Sequence, residues 1–443
     1  MAKLSVLGRE TLSRYGNALS HSGRETLSRY GNALSHSDFR TLWIANIFAG
    51  SAAWALIVAR GWLVFDMSEP ATASLWVGLV TFAAMIPRVL VTPITGYLSD
   101  RYDRKSVLQT MFAISLVNNA LLAVLVSTGT IEIWHLVALS LVNGSARATQ
   151  MPAAQALIPN LVPKGTLLNA IALNQATMQG SRLIGPAAIL PLMLWVGIEG
   201  AFILCTVFYA ISLAQSFRVK TVSTGQINKQ QSLARNLSEG LVYCYKTPHL
   251  RALIYITLLH CGLTMSYESL LPILSAQRLD AGGAGVMTLM MSVGAGAMAS
   301  SIILAGVRSE VTRGRTFFYF GILSGIAPGV LAFSSSMPVA MIGAALLGAS
   351  TAGFMTLIHT MIQSTIPDGM RGRIAGVYSI HVGGTMAIAN LSNGALADFT
   401  GAPWIFVVGG ALFIVAMVGS LSSISLRSIY STGLSPQMQA VAD

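Results

Sequence analysis

Three arginines and one glutamate stand inside runs of sequence that are otherwise apolar: Arg88, Arg147, Arg182 and Glu268. Buried in such a run, a charged side chain is costly unless it faces water, an opposite charge, carbonyl groups or a ligand. Gln175, Gln179 and Arg182 recur at the spacing that places side chains on one helix face. They predict a polar stripe lining an interior, and Gln150, close after Arg147, is a further candidate for it. Glu268 is the one clear acid inside an apolar run. A lone carboxyl at that depth is a candidate for exchanging a proton or facing a bound molecule. Arg60, near the end of its run, is expected to snorkel to the surface. Gly185 and Pro186 predict a kink that frees a backbone carbonyl.

No other chemistry is encoded. The Gly-x-x-x-x-Gly-Lys-Ser/Thr phosphate loop is missing, which argues against ATP-driven work. His135, His260, His359 and His381 have no His or Cys at ligand spacing, so neither a metal nor a cofactor is expected, nor an enzyme. Cys205, Cys244 and Cys261 read as free apolar thiols.

The elements that must position these residues span a membrane. Of the 443 residues, 53% are hydrophobic and 10% charged. The mean hydropathy of +0.65 leaves too much apolar surface for a water-soluble core. Apolar windows fall near 39–66, 73–98, 106–127, 131–157, 168–194 and 198–217, and again near 250–276, 282–307, 316–336, 337–364, 374–396 and 402–425. Each is long enough to cross a bilayer. The fold class is therefore all-α membrane protein, with about twelve transmembrane helices in two pseudo-symmetric six-helix bundles. The expected organisation is a tail (1–38), a bundle (39–217), a linker (218–249), a second bundle (250–425) and a C-terminal tail (426–443). Residues 8–22 repeat unchanged as 23–37, which reads as a duplication without a role. Within the linker, 231–246 is expected to form an amphipathic helix on the inner surface.

The net charge of +11 could suggest nucleic acid, but its placement excludes that. Arg and Lys crowd 101–105, 218–251, 308–315 and Arg371 with Arg373, while the alternate turns carry Asp66, Glu69, Glu132, Glu199 and Asp398. By the positive-inside rule both termini lie in the cytoplasm, in a multi-pass protein of the cytoplasmic membrane. No cleavable signal peptide is visible, because the first apolar run begins near Phe39. The halves resemble each other weakly: Gly306, Glu310 and Arg315 repeat the spacing of Gly96, Asp100 and Lys105, and Pro163-Lys-Gly is matched by Pro367-Asp-Gly. Such duplication accompanies a site between two halves.

Residues 96–105 hold five charged side chains in their last six positions. The pattern Gly96-x-x-x-Asp100-Arg101-x-x-Arg104-Lys105 resembles the signature loop of the major facilitator superfamily of secondary transporters. There the carboxylate faces the start of the eleventh span, here near 371–375, and latches the inner gate. Arg101, Arg104 and Lys105 read equally as inside-positive anchors. Arg147-Ala-Thr-Gln150 resembles the Arg-x-x-Gln-Gly motif of proton-coupled drug antiporters, with Met151 in place of the glycine. Gly180 to Pro186 resembles the Gly-Pro antiporter motif of exporters, with Ala188 and Ile189 where glycines are expected. The segment 152–186, with Gln155-Ala-Leu-Ile-Pro and Leu168-Asn-Ala-Ile-Ala, and Ile366-Pro-Asp-Gly-Met-Arg-Gly-Arg373 are similar to the enterobactin-exporter and macrolide-efflux branch. The resemblance covers 39–425.

It implies a proton-coupled exporter of small organic compounds, siderophore-like, anionic or phenolic, or drug-like, working as a monomer by alternating access. Its partners are then a small-molecule substrate, protons and the lipid bilayer. Arginines outnumbering the one acid favour an anionic substrate over a cationic one. Met287, Met290 and Met291 offer a surface for neutral hydrophobic compounds. An uptake permease of the same fold and a non-transporting membrane sensor are the alternatives.

Overall fold

In the computed structural model, residues 31–221, 233–307, 309–367 and 370–433 are described. The duplicated tail segments up to residue 30, the start of the linker helix and Asp368-Gly369 lie outside them. The first bundle runs α1 (Ser37–Met67), α2 (Ala73–Met85), α3 (Pro87–Arg101), α4 (Arg104–Ser127), α5 (Ile133–Leu161), α6 (Leu167–Trp195) and α7 (Ile198–Arg218). The linker contributes α8 (Leu233–Lys246). The second bundle runs α9 (Pro248–His260), α10 (Leu271–Gln277), α11 (Gly282–Ala305), α12 (Glu310–Ala332), α13 (Met337–Thr365), α14 (Arg371–Thr400) and α15 (Ala402–Gly419), followed by α16 (Ile424–Thr432). The described residues contain no strand.

Nine helices among the described residues are long and apolar enough to cross a membrane. Three further crossings are α5, α6 and the α9–α10 element. The first two carry Asn143, Arg147 and Gln150, and Asn174, Gln175, Gln179 and Arg182, which dilute their apolar character. The third is broken. Two of the twelve crossings depart from a single rod. Pro87, with no N–H to offer the ladder, separates α2 from α3. Between α9 and α10 the chain passes through a π-turn, Cys261–Met265, and then a non-helical stretch to Leu270.

Local signals set the ends. Asp103 caps α4 by accepting from the backbone N–H groups of Lys105 and Ser106, and Ser309 accepts from Thr312 N–H at the start of α12. Gly197 (φ 96°) and Gly401 (φ 79°) make the tight turns into α7 and α15, in a region of backbone space closed to most side chains. The linker helix is docked. Glu239 pairs with Arg373 of α14, the Tyr245 hydroxyl meets His381 Nε2 at 2.9 Å, and Leu237 and Tyr243 pack into the second bundle's core.

The ends of the crossings define two sides. The turn at 102–103, the linker helix α8, the start of α1 and the end of α15 share the basic side, and the turns at 68–72, 128–132, 196–197, 278–281, 333–336 and Gly401 form the other. Lipid tails are as apolar as leucine, so helices associate here through close backbone packing. On the side away from the basic residues the bundles are in contact. α2 meets α14 where Gly78 faces Gly394 and the Asn390 carbonyl, so closely that a Cβ at Gly78 would lie 3.0 Å from that oxygen. Gly61 of α1 faces Pro272 of α10, and Gly283 of α11 lies against Trp62 and Met193.

Candidate functional site

At mid-depth, α6 meets α11 at Arg182. A Cβ on Gly294 would stand 2.7 Å from Leu183 N, so only glycine lets the two bundles touch there. Arg182 is 4% exposed. Its guanidinium carbon lies 4.1 Å from the centroid of the Trp54 ring on α1, and that of Arg147 lies 5.0 Å from the same centroid. Both distances suit cation–π attraction. Pro186 has no N–H, so the Arg182 carbonyl four residues earlier lacks its intrahelical donor.

Glu268 sits across the junction, in the non-helical stretch between the π-turn and α10. It is 5% exposed, and among side chains its carboxylate is approached by Asn390 of α14. α14 holds this stretch open. Asn390 Oδ1 accepts from Ser269 N–H at 3.1 Å, and Asn393 Nδ2 donates to the Ser266 carbonyl at 2.7 Å. Ser269 Oγ is buried without a partner beside Glu268, and the buried Tyr267 hydroxyl lies towards Arg182. Glu268 is within electrostatic reach of Arg182 and Arg88, and Arg147 of all three. Arg88, on α3, packs its side chain against Gly383 of α14. The three arginines come from the first bundle and the carboxylate from the second. Among the described residues, none of the three makes an ion pair, and Arg182 is within hydrogen-bonding reach of the Tyr267 hydroxyl.

The structure places the other sequence-derived candidates less uniformly. The stripe on α6 exists: Arg182 is buried, Gln179 half-buried and Gln175 exposed, and Ile171, one turn further, is 43% exposed. On α5, Arg147 and Met151 are half-buried and Gln155 is exposed. Both faces grow more exposed towards the basic side, while on the other side the bundles are in contact. Gln150 turns away from the cluster: its amide donates to the Met111 carbonyl at 3.1 Å and to Ser115 Oγ at 2.7 Å, both on α4. Arg60 does not snorkel. It is buried and donates to Asn119 Oδ1 at 3.3 Å and Ser140 Oγ at 3.4 Å, because α4 and α5 supply polar partners inside the bundle. Gly185 lets α6 press on α1, since a Cβ there would collide with the Ser51 carbonyl. α6 continues through Pro186.

In the charged loop, Arg104 donates to the Ala156 carbonyl of α5 at 2.8 Å, and Lys105 is half-buried at the start of α4. The side chains of Gly96, Asp100, Arg101 and Arg371 lie outside the described residues. Trp54, Asn390, Asn393 and Asp398 escaped sequence reasoning. An aromatic in an apolar run reads as packing, and nothing in the sequence announces which asparagines meet a broken helix. The combination Gly262, Ser266, Ser269 and Pro272 within one span was the available sign of that break. No group of three metal-binding side chains occurs among the described residues, and the three cysteines are free and buried.

Two helical bundles around a mid-depth charged junction define a membrane transporter fold. The sequence profile of a family described as transmembrane secretion effectors matches residues 30–440, and the chain belongs to this family of the major facilitator superfamily. It is 24% identical to the multidrug efflux pump Tap of Mycolicibacterium fortuitum, over 81% of this chain and 88% of that protein. It is 20% identical to macrolide efflux protein A of Streptococcus pyogenes, over 85% of this chain and 93% of that protein. Among solved structures, the nucleoside transporter NupG superposes with a TM-score of 0.68 at 11% identity, covering 87% of this chain and 100% of that one. The protein is thus a multi-pass membrane transporter and not an enzyme.

Proposed function

We propose that this protein exports small organic anions from the cytoplasm in exchange for protons, with its basic side in the cytoplasm. The observation that carries this reading is the junction of Arg88, Arg147, Arg182 and Glu268. Charges at mid-depth of a crossing that no ion pair neutralises are retained where a ligand or an ion completes them. The faces of α5 and α6 leading to Arg147 and Arg182 open on the basic side, which suits a state waiting for substrate from that side. The efflux pumps among the relatives support the outward direction. The excess of basic residues on one side supports the orientation.

In this scheme the substrate's acid group takes the place of a missing partner for Arg182 and Arg147. Glu268 takes up a proton from the far side and releases it to the cytoplasm. A proton on Glu268 removes its attraction for Arg182 across the junction, which loosens one bundle from the other. Asp100, at the end of α3, serves as the latch of the cytoplasmic gate. The test is transport of a labelled organic acid in cells with and without the protein, with the proton gradient collapsed as control. Energised efflux supports the proposal; gradient-driven accumulation would make the protein an uptake permease.

A further inference from the structure

The junction is not electrically balanced. Arg88, Arg147 and Arg182 each carry a positive charge that arginine does not give up in a protein. Glu268 is the only acid in the interior of a crossing among the described residues. With Glu268 ionised, the four side chains sum to two positive charges; with Glu268 protonated, to three. Asp398 and Asp66, the nearest acids by sequence to the sealed side, stand at helix ends. Arg60 is excluded from the count, because Asn119 and Ser140 already bind it within the first bundle.

The arginines are also held by different partners. Arg147 and Arg182 share the Trp54 ring, while Arg88 lies against Gly383 on the α14 side. A single carboxylate can engage one or two guanidinium groups at one place. It leaves at least one positive charge unbalanced in a low-dielectric interior, where that imbalance is costly. Two acid groups on one molecule would balance the junction and reach both places.

We propose that the preferred occupant is a dianion with two separated acid groups, that is, a dicarboxylate or polycarboxylate. This rests on the reading of the junction as the substrate site, and it fixes the charge of the substrate.

The experiment is equilibrium binding to purified, detergent-solubilised protein at pH 7.5 (about 7.5 keeps both carboxylates ionised), using adipate, monomethyl adipate, dimethyl adipate and inorganic phosphate. Adipate should bind roughly tenfold or more tightly than its half ester, and the diester should bind weakest. Arg182→Gln should cost adipate roughly tenfold to a hundredfold and narrow its lead over the half ester, whereas Arg182→Lys should keep part of that lead. Equal binding of adipate and its half ester, or no binding of adipate at millimolar concentration, would each overturn the proposal. Phosphate outbinding adipate would overturn the requirement for separated acids. Because binding in detergent has no direction and no gradient, failure of the export reading leaves these results unaffected.

Discussion

Asp398, in the last turn of α14, accepts hydrogen bonds from the backbone N–H groups of Ser74 and Leu75 at 3.0 Å each. Ser74 and Leu75 open α2, so a carboxylate of the second bundle caps a helix of the first. The orphan donors and positive end of a helix favour an anion there. The contact lies on the sealed side, next to the approach of Gly78 and Gly394, and it joins the two bodies that must part when that side opens.

Asp398→Asn should therefore favour the state open on that side. A hydrogen bond to a charged group is worth about 1.5–3 kcal/mol, so losing the charge should shift the population roughly tenfold. Spin labels at Trp195→Cys and Val339→Cys, on exposed positions of the two bundles on that side, would report it by double electron–electron resonance on a cysteine-free background. Longer distances are expected in the variant, and an unchanged distribution would mean that Asp398 is not a latch.

Gly294→Val should act at mid-depth. The added side chain meets the backbone of Arg182 and Leu183, which cannot yield as a flexible side chain would. Overpacking of this kind costs about 1–3 kcal/mol. Transport should fall sharply, and the same label pair should show the sealed side loosened.

Arg60 and Asn119 allow an asymmetry to be measured. Asn119→Leu leaves a buried guanidinium short of a partner, whereas Arg60→Met removes the charge along with the need for one. Thermal denaturation should show the larger loss for Asn119→Leu, by about 1–3 kcal/mol. The opposite order would mean that the arginine's packing outweighs its charge.

Trp54 supports two cations at once. Trp54→Leu should weaken substrate affinity by placing Arg147 and Arg182 less well, with the maximal rate less affected. Cation–π contacts of about 0.5–2 kcal/mol set the scale, a few-fold to about thirtyfold in apparent KM. In Arg182→Gln the same Trp54 change should cost less, because part of the interaction is already gone.

The linker gives a pH prediction. The Glu239 carboxyl lies below its ordinary value of 4.5, first through its hydrogen bond from Arg235, against weak desolvation, with Arg373 adding to the effect. A depressed folded value means that its stabilising contribution is complete above about 4.5 and is lost as pH falls through the lower value. Glu239→Gln should thus leave the shape of a transport–pH profile between about pH 5.5 and 8 unchanged. A profile that changes shape there would make the linker a participant in proton coupling.

Much of the architecture was legible because the bilayer imposes one length on every crossing. Apolar runs of that length recur twelve times, and positive loops alternate with acidic ones. The rare charges inside those runs were equally plain, and Arg88, Arg147, Arg182 and Glu268 meet at one junction. The sequence could not show which polar groups find partners within a bundle. Arg60 and Arg182 look alike in their runs, yet only Arg60 is met by Asn119 and Ser140. Gln150 follows Arg147 by three residues, and its amide binds α4 instead. The break at Glu268 was hidden because π-turns leave no periodic signature, and its stability comes from Asn390 and Asn393, more than a hundred residues away.

The most direct test of coupled export is flux in proteoliposomes carrying an imposed pH gradient, with an acid that binds the purified protein, comparing the wild type with Glu268→Gln. The wild type should drive the acid against its concentration gradient, towards the side from which protons enter. Glu268→Gln should lose that uphill movement while retaining one-for-one exchange of labelled for unlabelled acid. Uphill transport of undiminished rate in Glu268→Gln, or wild-type flux indifferent to the pH gradient, would contradict the account.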